Sequence, residues 1–89
     1  MKSESVQICN RLGLHARAAA KVVHTACEFQ SEIFLGTEDE EVNAKSILGL
    51  LTLAATEGTP LRIRASGVDE EAAIRALAEL FRNRFGEGE

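Results

Sequence analysis

Eighty-nine residues, 45% of them hydrophobic, suffice for one domain that folds without disulfide or metal staples. A net charge of −4, with its basic residues unclustered, argues against nucleic acid as a partner, since tracking a phosphate backbone needs concentrated positive charge. No apolar run approaches the roughly 20 residues that cross a bilayer, and the polar start Met1-Lys2-Ser3-Glu4 leads straight into a strand, so it does not read as a signal peptide. The expectation is a cytoplasmic protein without membrane insertion.

In chain order, Ser5-Val6-Gln7-Ile8-Cys9 alternates apolar and polar, the period of a strand with one buried face. Asn10 to Leu14 breaks that period and carries the chain to His15. From Ala16 to Cys27 the composition is helical, with Ala19, Val22, Val23 and Ala26 forming one apolar stripe. Glu32 to Leu35 and Glu41 to Asn43 read as two strands joined by a polar turn, whose acidic run Glu38 to Glu41 is solvated. Ser46 suits the cap of a short helix ending near Leu53, and Glu57 to Pro60 is a turn.

Leu61-Arg62-Ile63-Arg64-Ala65 alternates cleanly, its arginines facing water and pairing with Glu32 or Gln7. A final helix runs from Asp69, its expected N-cap, to Phe85, with the stripe Ala73, Ile74, Leu77, Leu80 and Phe81. The acidic tail Glu87 to Glu89 reads as a solvated terminus. Cys9 and Cys27, in a reducing compartment, are expected as small thiols rather than a disulfide. With His15 and His24 they lack metal-ligand spacing, so no metal site and no cofactor are expected.

The order is β-α-β-β-α-β-α. Alternation implies that one sheet face meets water while the helices cover the other. The fold class is therefore α+β: a two-layer open-faced sandwich, with a four-stranded antiparallel sheet covered on one face by three helices. Such a sandwich has no deep pocket and acts on its surface.

The densest chemistry lies in Gly13-Leu14-His15-Ala16-Arg17. A helix start exposes backbone N–H groups without partners, and the helix dipole adds partial positive charge there. Such a place receives anions. His15 is then either a plain helix cap or a nucleophile aimed at a bound phosphoryl group. Arg17 adds a guanidinium that grips phosphate oxygens, and the N–H groups of Ala16 and Arg17 add donors.

Two segments, Gly13 to Arg17 and Val42-Asn43-Ala44-Lys45-Ser46-Ile47-Leu48-Gly49-Leu50, resemble the two signatures of the HPr family, histidine-containing phosphocarriers of the bacterial sugar phosphotransferase system. The likeness covers almost the whole chain, with Gly58 and the last helix in the family's places, and implies the same sandwich. It implies that His15 accepts a phosphoryl group at Nδ1 from phosphorylated enzyme I and hands it to an enzyme IIA domain. Arg17 would clamp the phosphate, and the protein would be a monomeric substrate of other enzymes rather than a catalyst with its own turnover. Ser46 would be the regulatory residue of an HPr kinase/phosphorylase. Partners would dock on an apolar patch of Ala20, Ile47, Leu48 and Leu51, rimmed by Arg17, Lys21 and Lys45.

The chain departs from the family pattern at three points. Ala18 stands where proline is usual, which loosens the unfolded chain by about 0.4–1 kcal/mol. Gly49 and Cys27 stand where the family often carries positive charge. Two alternatives stay open: a nitrogen-branch regulatory carrier, and a docking module that transfers no phosphoryl group.

Overall fold

The computed structural model describes residues 1–53 and 55–86; Ala54 and the acidic tail from Glu87 lie outside the described residues. Strands β1 (Lys2–Gln7), β2 (Glu32–Gly36), β3 (Glu41–Asn43) and β4 (Pro60–Ser66) form one antiparallel sheet in the order β1-β4-β2-β3. Helices α1 (Ala16–Ala26), α2 (Ile47–Leu53) and α3 (Glu70–Arg82) complete the expected two-layer sandwich.

The β4 alternation holds as read. Leu61, Ile63 and Ala65 are buried beneath the helices, while Arg62 and Arg64 face the open side. β1 begins and ends earlier than the expected Ser5 to Cys9. It pairs with β4 from Lys2 opposite Ala65 to Gln7 opposite Pro60, through backbone groups that leave no apolar signature. Ile8 therefore lies beyond the strand, yet is fully buried.

The Arg64 partner differs from expectation. Register sets Arg64 opposite Phe34, and its guanidinium lies 5.2 Å from the ring centroid. From there Arg64 Nε donates to Glu41 Oε2 at 2.8 Å, reaching β3 rather than Glu32 or Gln7. Gln7 instead donates through Nε2 to the Gly58 carbonyl at 3.0 Å.

On α1, Ala18, Ala19, Val22 and Ala26 are buried and Val23 is half-buried. On α3 the buried set is Ala73, Ile74, Leu77, Ala78 and Phe81, with Leu80 half-buried. Two features of α3 depart from the reading. Asp69 precedes the helix but makes no side-chain cap; its carboxylate accepts from the backbone N–H groups of Gln30 and Ser31, each at 2.9 Å, and from the Ser31 hydroxyl. At the other end the helix stops at Arg82, and Arg84 and Phe85 take left-handed backbone angles (φ 52° and 55°). That reversal drives Phe85 into the core, edge-on to Phe81 with ring centroids 5.0 Å apart.

Candidate functional site

The site is built on the loop between β1 and α1. Asn10 to Gly13 forms a tight turn, with the Gly13 N–H donating to the Asn10 carbonyl at 3.3 Å. The fully buried Asn10 closes it from within, donating through Nδ2 to the Gly13 carbonyl at 2.8 Å. Gly13 has φ +70°, and a Cβ there would sit 2.6 Å from the Ala55 carbonyl oxygen. Only glycine allows this backbone approach. It brings the next N–H, from Leu14, onto that same carbonyl at 2.9 Å. The loop is thereby tied to the segment that follows α2, and Leu14 is buried beneath it.

His15 follows as the N-cap of α1, with extended backbone (φ −79°, ψ 178°). Its Nδ1 accepts from the Arg17 N–H at 3.3 Å. In a neutral ring with Nδ1 accepting, the proton sits on Nε2. His15 is thus a cap, and the atom that caps is the nitrogen expected to act as nucleophile. No acidic residue lies in the first turn of α1, so nothing there offsets the positive end of the dipole. Ala16 and Arg17 are exposed beside the ring, and among the described residues the Arg17 guanidinium carries no ion pair.

Ser46 caps α2. Its Oγ accepts from the Gly49 N–H at 3.2 Å, and its position is set by Asn43, whose Oδ1 accepts from the Lys45 N–H at 2.8 Å. Gly49 would admit a Cβ only 3.2 Å from that of Val42, which is tight for any larger residue there. α2 packs against α1 and buries Leu50 completely, leaving Ile47, Leu48 and Leu51 exposed by 40, 75 and 38%. Ala20 is exposed on α1.

The two lysines of the expected basic rim are engaged. Lys45 Nζ donates to the Phe29 carbonyl at 2.8 Å, and Lys21 Nζ donates to the Phe85 carbonyl. His24, Cys9 and Cys27 are exposed, and both thiols are free. Among the described residues no three of histidine, cysteine, aspartate and glutamate converge to hold a metal ion, and no helix is long and apolar enough to cross a membrane.

Two contributors escaped the sequence reading. Asn10 holds the turn, and its sequence signal was an Asn-x-x-Gly string, common to many turns. The Ala55 carbonyl had no signal at all, being a backbone atom brought in from a distant segment.

A histidine cap at an exposed helix start, beside an exposed arginine and on a sandwich surface, suits a protein that carries a phosphoryl group. Comparison with known proteins agrees. The family model for the PTS HPr component phosphorylation site matches residues 2–83. Phosphocarrier protein HPr of Xylella fastidiosa is 53% identical over 98% of each chain, and that of Neisseria meningitidis is 48% identical over both chains in full. The crystal structure of an HPr from Thermoanaerobacter tengcongensis covers both chains completely with a TM-score of 0.96 at 44% identity. The class is thus the phosphocarriers of the phosphotransferase system. Within it, the chain belongs to the HPr family.

Proposed function

We propose that this HPr-family protein accepts a phosphoryl group on His15 from phosphorylated enzyme I and passes it to an enzyme IIA domain. The observation that supports the reading is His15 at the N-cap of α1, its Nδ1 accepting the Arg17 N–H at 3.3 Å among the donors of the helix start. The Nδ1 lone pair attacks phosphorus. A P–N bond forms as the bond to the donor breaks, its electron pair leaves with the donor, and the ring proton stays on Nε2. The Arg17 N–H then turns to a phosphoryl oxygen, joined by the Ala16 N–H and the Arg17 guanidinium. Roughly 1–3 charge-assisted hydrogen bonds hold the group without trapping it.

Partners dock over Ala20, Ile47, Leu48 and Leu51, an apolar patch on the helices beside the histidine. Arg17 is the cation best placed to meet an acidic partner, Lys21 and Lys45 being engaged with carbonyls. Ser46, under an HPr kinase/phosphorylase, sits at the edge of that patch, where added charge would alter docking. The protein works as a single cytoplasmic domain and a monomer, a substrate of other enzymes with no turnover of its own.

The test is incubation with phosphoenolpyruvate and enzyme I, read by intact mass and phosphorus NMR. One acid-labile phosphate is expected on the wild type and none on His15→Ala. A wild type that stays unmodified, or a variant that is modified equally, would end the reading.

A further inference from the structure

Two polar side chains are almost fully buried among the described residues, Ser31 and Asn10. Ser31 is accounted for by the Asp69 carboxylate. Asn10 lies under the turn that leads to His15, where a buried amide costs free energy unless it bonds to something that needs it.

We propose that Asn10 is a positioning residue for phosphoryl transfer, setting His15 through the Gly13–Leu14 peptide. The inference deepens the carrier reading above and rests on it. Distances decide which bond holds the turn. Its own closure, from the Gly13 N–H to the Asn10 carbonyl, is 3.3 Å, while Asn10 Nδ2 reaches the Gly13 carbonyl at 2.8 Å. Ordinary N–H···O bonds span about 2.7–3.2 Å, so the side chain rather than the turn's backbone fixes that carbonyl. Gly13 is buried, and the carbonyl needs a donor from within the fold.

The other end of the same peptide, the Leu14 N–H, is held by the Ala55 carbonyl at 2.9 Å. A peptide is planar, so bonds at both its ends fix its orientation. Beyond it only the φ and ψ of Leu14 precede His15, and the Leu14 side chain is itself buried. On the far side, the His15 carbonyl accepts from the Ala19 N–H at 2.8 Å. His15 is held before and behind, and Asn10 supplies the hold before it. Transfer to Nδ1 requires a near-attack geometry, and a misplacement of about 1 Å costs up to about 100-fold in rate.

The test compares the full chain as wild type, Asn10→Ala and Asn10→Asp, at a temperature where amide NMR spectra show each one folded. Phosphoramidate, a small donor that needs no docking surface, reports the rate at His15, and 15N shifts of the neutral ring report which nitrogen carries the proton. Asn10→Ala should slow the reaction about tenfold or more and lower the share of ring protonated at Nε2. Aspartate keeps the shape of asparagine but donates to the Gly13 carbonyl only when protonated, a form that burial favours. Relative to wild type at the same pH, Asn10→Asp should therefore react normally at about pH 5 and slow as its carboxyl ionises. A merely structural role would lower the thermal midpoint and leave rate and ring signature at wild-type values. That outcome, on a wild type that enzyme I charges, overturns the inference alone. An Asn10→Asp protein as slow as Asn10→Ala at every pH also overturns it. A wild type that phosphoramidate charges and enzyme I does not overturns the carrier reading, and with it any role of Asn10 in transfer between proteins.

Discussion

Gly13 is constrained twice, by its positive φ and by the backbone of Ala55 where a side chain would go. A left-handed angle alone costs a non-glycine residue roughly 1–2 kcal/mol. Relieving the clash requires moving the Leu14 N–H off its carbonyl as well. Gly13→Ala should therefore lose at least about 2 kcal/mol in a urea titration. It should also slow charging of His15, because the loop that sets the ring shifts with it. A variant as stable as wild type would show that this seam adjusts freely. That His15 opens α1 was legible from local sequence; a role beyond capping was not, since the same string serves a plain helix cap, and only the second signature around Ser46 tipped the reading. The use of His15 Nδ1 as the cap was not legible, because tautomer and rotamer follow from the folded turn.

Among elements, the Asp69 carboxylate ties the start of α3 to the connection between α1 and β2. Gly67 makes the approach possible: a Cβ there would lie 2.6 Å from Ser31 Oγ. The Ser31 hydroxyl bond, followed by the Gln30 N–H, holds the Asp69 carboxyl below its ordinary value of 3.8, against the opposing effect of burial. The unfolded chain takes up this proton more readily than the folded one. The latch thus contributes fully above the unfolded value and is lost as pH falls through the folded one. The gap in thermal midpoint between wild type and Asp69→Asn should be widest at about pH 6 and narrow below about pH 4. A constant offset across that range would place the stabilisation elsewhere.

Periodicity identified β4, α1 and α3 because burial on one face imposes it, while α2 was read from its capping serine and β2 and β3 from the polar turn between them. It failed where an element is anchored by backbone or long-range contacts. β1 begins in polar residues that pair with β4 without leaving a period. Asp69 looked like a local cap, yet its partners lie on the far side of the chain's middle. The Arg64 partner was misread for the same reason, since strand order β1-β4-β2-β3 decides which carboxylate lies within reach, and Glu41 sits two strands over.

For the whole molecule, closure at the C-terminal end depends on Phe85. Two consecutive left-handed residues are unfavourable, and they persist because Phe85 packs against Phe81 while Lys21 of α1 holds its carbonyl. Removing a buried phenylalanine costs about 3–5 kcal/mol. Stabilities of small domains are about 5–15 kcal/mol in total. Phe85→Ala should therefore lose about 3–5 kcal/mol in a urea titration, a large share of the total. A loss below about 1 kcal/mol would mean that the last turn is an appendage rather than part of the core.

The cap on α1 has a consequence for energetics. In the resting protein the imidazole satisfies one N–H of the first turn, that of Arg17. On the proposed carrier role, a phosphoryl group would take over that donor and add the Ala16 N–H and the Arg17 guanidinium. Charge-assisted bonds are roughly twice as strong as neutral ones, so the cargo would be the stronger of the two caps. Its departure would return the helix to the weaker cap already in place.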